Sequence, residues 1–285
     1  SHIAGNAYDC TDEAGILIHE YGPHIYHTFN ERVHNFLSRF TKWTDYQHKV
    51  LANINGTLMP VPFNHASLKL AFGDERGEEL YQKLVETFGK DVKVPIMELR
   101  KKNDPDLAEV ADYVYENVFL HYTMKQWGQK PEDIDPATTA RVPVFLSRDD
   151  RYFQDAYQGM PLEGYTPMFE RMLAHPNITV ELGCDAGDAL KVDGEPFAGP
   201  VVYTGQADEL FKFRFGPLPY RTLNFQFETL DQDDFQGYGT VNYTVDREYT
   251  RITEFKHLTG QVLPGKTTIV KEYSKAYGGI LGEIP

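Results

Sequence analysis

The chain has 285 residues, 41% of them hydrophobic and 25% charged, a balance that excludes a disordered polypeptide and allows one large domain or two small ones. Its 28 basic and 42 acidic residues leave a formal charge of −14. A nucleic-acid backbone needs a basic face, so only a small phosphorylated ligand held by a few local arginines stays compatible. Cys10 and Cys184, with no C-x-x-C pair, exclude a disulfide scaffold and a cysteine-rich zinc site. No apolar run of about 18 residues and no basic-then-apolar leader occur, which predicts no membrane span and a cytoplasmic location.

Ile16-Leu17-Ile18 reads as a strand, followed by a tight loop at Tyr21-Gly22-Pro23-His24. Val33, Phe36, Leu37 and Phe40 recur at spacings of three and four, predicting a helix over Glu31–Phe40. Asn55-Gly56 between Val50–Asn55 and Thr57–Val61 predicts a hairpin. Residues 66–130 read as helical. Leu80, Leu84 and Phe88 make one stripe, and Leu107, Val110, Ala111, Val114 and Val118 make a second, started by Asn103-Asp104-Pro105. From about residue 136 strands dominate: Val180–Leu182, Pro200–Gly205, Leu223–Thr229, Thr240–Val245, Tyr249–Lys256 and Thr267–Tyr273, the later ones forming an antiparallel meander. The fold class expected is α+β (mixed α/β), with a helical module inserted before a larger sheet.

Gly260-Gln-Val-Leu-Pro-Gly265-Lys266-Thr267 matches the phosphate-loop pattern. That motif needs a helix after its Lys. The β-branched Thr267-Thr268-Ile269-Val270 run predicts a hairpin loop instead. No G-x-G-x-x-G and no G-x-S-x-G is present. His19, His24 and His27 lie around a Gly-Pro loop, where a spacing of three does not converge on a metal, so no metal site is assigned. Paired acids such as Asp149-Asp150 read as solvated turns. The stretch Tyr122–Tyr157 is dense in Tyr, Trp and Arg, with Tyr249-Thr250-Arg251 further on. Aromatic faces can stack a base and arginine forks can grip a diphosphate.

Six stretches in order carry a resemblance: His2–Tyr8, Tyr21–Thr28, Tyr122–Gly128, Arg141–Pro143, Arg151–Phe153 and Tyr249–Ile252. Through them the chain resembles the UDP-galactopyranose mutase family, flavoenzymes that interconvert UDP-galactopyranose and UDP-galactofuranose in cell-wall biosynthesis. The resemblance implies a partial FAD-binding α/β domain at 1–65, a helical insertion at 66–135, and an antiparallel sheet for substrate at 136–285, with strands 178–206 returning to the FAD-binding domain. It implies FAD, reduced for activity, as cofactor, and an isomerase reaction through a flavin N5–sugar adduct. UDP-galactose and UDP are the implied partners, and a homodimer is admitted.

Site residues follow from the same resemblance. Asn6, His24 and Ile25 would contact flavin. His48, Val118, Phe119, Tyr122, Thr123, Trp127, Tyr152 and Asn242 would bind substrate. Arg251 and Arg141 would compensate the diphosphate charge, His24 would sit against the flavin as a third catalytic group, and Gly128–Pro136 would form a loop over the substrate. The family's G-x-G-x-x-G unit and a C-terminal stretch with a second active-site Arg are absent, and Ala4 replaces a usual Gly. The expectation is a piece of a longer enzyme, inactive and without firm flavin binding by itself. Two other readings fit the residues: a non-catalytic UDP-sugar-binding module, and an amine-oxidase-like FAD oxidoreductase.

Overall fold

The structure is a computed structural model that describes residues 2–130, 133, 143–184, 191–192 and 194–279. Near the N-terminus, β1 (Asp9–Thr11) and β2 (Leu17–His19) pair antiparallel. β3 (Tyr26–Thr28) leads into α1 (Glu31–Leu37), capped by the Asn30 side chain, which accepts from the Arg32 and Val33 N–H groups. The helix stops at Leu37, short of the expected Phe40, and none of its residues is fully buried. Its apolar residues Phe36 and Val33 stay 46% and 41% exposed.

Asn55 and Gly56 take φ of 51° and 91°, the left-handed pair a type I′ turn needs. They join β4 (Val50–Ile54) to β5 (Thr57–Val61) in the register the sequence predicts. The helical unit follows: α2 (His65–Phe72), α3 (Asp74–Phe88), a short strand β6 (Lys93–Pro95), α4 (Ile96–Arg100) and α5 (Pro105–Val114). The Asp104 carboxylate accepts from the Asp106 and Leu107 N–H groups with Pro105 in the first turn, so the start signal works by capping. Leu107, Val110, Ala111, Val114 and Val118 are all buried, and they pack with Leu80, Leu84 and the inner faces of β4 and β5. At Gly77 a Cβ would meet the Lys69 backbone at 2.6 Å, so only glycine lets α3 approach α2 this closely. After α5 the backbone opens into a π-helical turn, Tyr115–Leu120, before α6 (His121–Trp127). Such turns redirect side chains and are frequent at functional sites.

β7 (Pro143–Phe145) pairs with β6, and β8 (Tyr157–Gly159) pairs with β3. α7 (Tyr165–Leu173) is capped by Asp9, whose carboxylate accepts from the Tyr165 and Thr166 N–H groups. A two-residue ladder, β9 (Lys191–Val192) with β10 (Glu195–Pro196), and α8 (Ala207–Leu210) precede the main strands β11 (Arg221–Leu230), β12 (Thr240–Tyr243), β13 (Arg251–Glu254) and β14 (Thr267–Ala276). The six-stranded sheet has the order β11-β14-β13-β12-β4-β5. All its pairs are antiparallel except β12 with β4, which is parallel, so the expected meander becomes a mixed sheet.

Three further expectations are corrected. Val180–Leu182 and Pro200–Gly205 form no strands; Val202 is 89% exposed. A strand exists only where a neighbour completes its ladder, and among the described residues none lies beside these. The strand read through Lys256 ends at Glu254, where α9 (Phe255–Thr259) turns Phe255 and Leu258 into the core. The phosphate-loop match has a strand and no helix after its Lys, as expected, but it is a loop from α9 into β14 and not a hairpin loop, because α9 comes before it; Lys266 pairs with Asp231 at 2.7 Å.

Candidate functional site

Strand register builds the site. Asn242 of β12 lies beside Ala52 of β4 and opposite Arg251 of β13. Arg251 in turn faces Glu272 of β14, and Glu272 faces Phe225 of β11. Directly paired residues share one face of a sheet, so Ala52, Asn242, Arg251, Glu272 and Phe225 form one row across five strands. Arg251 Nε approaches Glu272 Oε2 at 3.8 Å, with the Glu272 side chain 6% exposed and that of Arg251 30% exposed. Arg251 Nη2 donates to the Tyr122 hydroxyl at 3.2 Å. Burial works against the Arg251 charge, but Glu272 and Tyr122 outweigh it and hold its pKa above the usual arginine value. Burial pushes the Glu272 carboxyl up, with Arg251 opposing. Asn242 Oδ1, Arg251 Nε and Glu272 Oε1 are all buried without a hydrogen-bond partner. Native interiors rarely leave such atoms unpaired.

At the Asn242 end of the row lies a cavity of about 70 Å³ lined by Ala52, Val61, Pro62, Phe63, Val118, Tyr122, Pro143, Tyr152, Asn242 and Thr244. The π-helical turn supplies Val118 and α6 supplies Tyr122. Tyr152 is presented by a tight turn in which Arg151 forks onto Asp149, its Nη2 at 2.7 Å from Oδ2, while the Tyr152 N–H donates to the His48 carbonyl at 2.8 Å. His48 is 6% exposed and shares a hydrogen bond with the Tyr46 hydroxyl at 2.9 Å. Burial first, then the Arg251 charge and the neighbouring His27, lower its pKa to about 3, so its ring is neutral beside the Arg251 cation.

At the Glu272 end stands the Gly22–His24 loop. A Cβ on Gly22 would lie 3.0 Å from the Phe225 ring and 3.9 Å from Glu272 Oε1. The His24 N–H donates to His19 Nδ1 at 3.0 Å, and the His24 ring Nδ1 pairs with the Gly22 carbonyl at 2.9 Å. His19 is 1% exposed, and burial lowers its pKa to about 4 against the opposing pull of Asp9.

The structure thus brings Val118, Tyr122, Tyr152 and Asn242 to one cavity, with Arg251 against Tyr122 and His48 behind Tyr152. It does not bring the rest there. Phe119 is 1% exposed inside the helical core. Thr123 is buried in α6, and Trp127 is half-exposed at that helix's end. Asn6 is exposed on the Gly5–Ala7 turn, and Ile25 packs against a second core cluster around Ile16, Met160 and Phe255. Arg141 lies outside the described residues, as does most of 131–142. Glu272 was missed from the sequence; its signal was a carboxylate two positions from buried Val270, on the face where β14 packs inward. Among the described residues, Asp234, Glu254 and His257 are the group that could hold a metal. Glu254 already accepts from the Phe235 and Gln236 N–H groups, and Asp234 from that of Gly237.

The sheet and the helical unit beside it make a mixed α/β fold. A solved structure titled as reduced UDP-galactopyranose mutase aligns with TM-score 0.59 at 14% identity, over 95% of this chain and 66% of that one. A putative protoporphyrinogen oxidase from Exiguobacterium aligns with TM-score 0.55 at 12% identity, over 96% and 70%. At those identities the likeness is one of fold. A family model described as UDP-galactopyranose mutase matches residues 117–281. A probable UDP-galactopyranose mutase of Klebsiella pneumoniae is 35% identical over 97% of this chain and 71% of its own length. A dTDP-fucopyranose mutase of Escherichia coli is 35% identical over 96% and 73%, and the Mycoplasma pneumoniae UDP-galactopyranose mutase 33% over 95% and 70%. The chain belongs to the UDP-galactopyranose mutase family, a family of isomerases, and spans about seven tenths of these curated relatives.

Among the described residues no helix is long and apolar enough to cross a membrane. The family implies a flavin cofactor. The residues that would border it are those of the loop carrying His24 and Ile25, where a Cβ on Gly22 would lie 3.0 Å from the Phe225 ring and only a glycine leaves that face open.

Proposed function

We propose that this chain carries the nucleotide-sugar half of a UDP-galactopyranose mutase site, with FAD as its flavin. The observation that supports it is the row Asn242, Arg251, Glu272: an orphaned acceptor, donor and acceptor side by side, next to an aromatic-lined cavity. One cation among two acceptors suits a phosphate joined to a polyol better than a phosphate alone. Arg251 meets the diphosphate, and Asn242 Oδ1 and Glu272 Oε1 accept from sugar hydroxyls. The uracil enters between Val118, Tyr122 and Tyr152.

Arg251 then stabilises charge on the diphosphate as the anomeric bond breaks. The hydroxyl of Tyr122 is already spoken for by Arg251 and fixes its fork; Tyr152 keeps its hydroxyl for a phosphate oxygen. Neutral His48 excludes water behind Tyr152 without adding a second cation. When bound, a reduced flavin would supply the nucleophile for the anomeric carbon, and His24 and Ile25 are the residues that would border it. Arg141, the division into 1–65, 66–135 and 136–285, and a homodimer belong to the same reading.

Calorimetric titration with UDP, UDP-galactose and dTDP tests it. Saturable UDP binding that Arg251→Ala weakens is the expected result. No heat at millimolar UDP overturns the reading, and tighter dTDP than UDP moves it to a thymidine-linked sugar.

A further inference from the structure

We infer that Arg221 is a positioning residue of this site, acting through α6. The inference rests on the nucleotide-binding reading above. Arg221 stands at the start of β11, and its side chain reaches the C-terminal end of α6. Nε donates to the Gln126 carbonyl at 3.0 Å; Nη2 donates to the Lys125 carbonyl at 3.3 Å and to the Ser274 hydroxyl at 3.1 Å. Ser274 completes the ring by donating to the same Gln126 carbonyl at 2.8 Å. Among the described residues no carboxylate pairs with Arg221. Its counter-charge is the negative end of the helix, whose last carbonyls lack intrahelical donors.

Gly128 is shaped to this clamp. It ends α6 at φ 67° and ψ 16°, the left-handed conformation glycine takes freely. A Cβ there would sit 3.1 Å from Arg221 Nη1. Lys125 Nζ adds a tie from the same turn to the Tyr243 carbonyl at 2.6 Å.

These contacts matter for the site because α6 and β14 each carry one side of it. α6 carries Tyr122, on which Arg251 rests, and β14 carries Glu272, two residues before Ser274. Arg221 therefore fixes the seat of α6 on the strand that holds the partner of Arg251. Loosening the clamp moves Tyr122 relative to Arg251 without touching either.

The test is UDP titration of wild type, Arg221→Ala, Arg221→Lys and Gly128→Ala, each also in a Tyr122→Phe background, with hydrogen exchange of the 124–128 amides. The expected result is at least tenfold faster exchange there in Arg221→Ala and at least tenfold weaker UDP binding. Arg221→Lys should restore part of both, and the binding loss should shrink to about twofold when Tyr122 is already Phe. Equal losses in both backgrounds would mean that Arg221 touches ligand or merely supports the fold, and overturn the inference. So would unchanged exchange at 124–128. A wild-type protein that binds no UDP while Arg221→Ala loosens α6 is the failure of the nucleotide reading instead.

Discussion

Arg251 and Glu272 stand directly opposite each other on neighbouring strands, yet come no closer than 3.8 Å, and one polar atom of each lacks a partner. A pair kept for stability would close that gap, since a half-satisfied buried charge is costly. Held apart, the two leave room and hydrogen-bonding capacity for a third group.

Removing the cation should be expensive for the ligand. Arg251→Ala is expected to weaken UDP by about 2–5 kcal/mol, most of it in dissociation rate. Arg251→Lys keeps the charge but loses the fork onto Tyr122 and should fall between. Surface plasmon resonance with UDP reads both; a wild-type off-rate in Arg251→Ala removes this residue from the site.

Neutralising the anion should act in the opposite direction. Glu272→Gln preserves shape and removes the charge that offsets Arg251, so diphosphate binding should tighten by about 1 kcal/mol, with little change between low and high salt because the pair is buried. Affinity measured at two ionic strengths checks this. Weaker binding at both would show that the carboxylate contacts ligand through its charge.

Acid should drain stability through two histidines. His48 and His19 have folded pKa values lowered from 6.5 to about 3 and about 4. The unfolded chain takes up protons near pH 6.5 while the folded one does not, so stability is full above that pH and falls as pH drops toward 3. At about 1.36 kcal/mol per pH unit for each group, the loss amounts to several kcal/mol. Urea midpoints at pH 7, 6 and 5 give the slope, and His48→Asn should flatten it by up to one proton.

Phe119 separates core from pocket. Being 1% exposed within the helical cluster, Phe119→Ala should cost about 3–5 kcal/mol of stability. Phe119→Leu should fold and leave UDP affinity within about twofold. A tenfold change in Phe119→Leu would return this ring to the base site.

Local chemistry was legible from sequence wherever a few adjacent residues decide the outcome. Asn55-Gly56 fixed a turn, Asp104-Pro105 started a helix, and the stripe from Leu107 to Val118 found the core. The parallel pairing of β12 with β4 was not legible, because nothing in either segment encodes a partner some 190 residues away. The same holds for Glu272, which becomes meaningful only once register sets it opposite Arg251. Phe119 and Val118 are adjacent, both apolar and both in the π-helical turn, yet only Val118 lines the cavity, a difference that periodicity does not show. Val180–Leu182 and Pro200–Gly205 have strand composition without strand structure, since propensity supplies no neighbour.

The parallel β4–β12 contact also orders events in time. Val61 and Phe63, one wall of the cavity, leave the ribosome long before Asn242 and Thr244, which form another. Through that interval the helical core can close, but the ligand-binding surface has no second side. Pairing across so long a loop is slow, so assembly of the pocket should lag behind collapse of the helices, and a ligand added during refolding should bind only in the final phase.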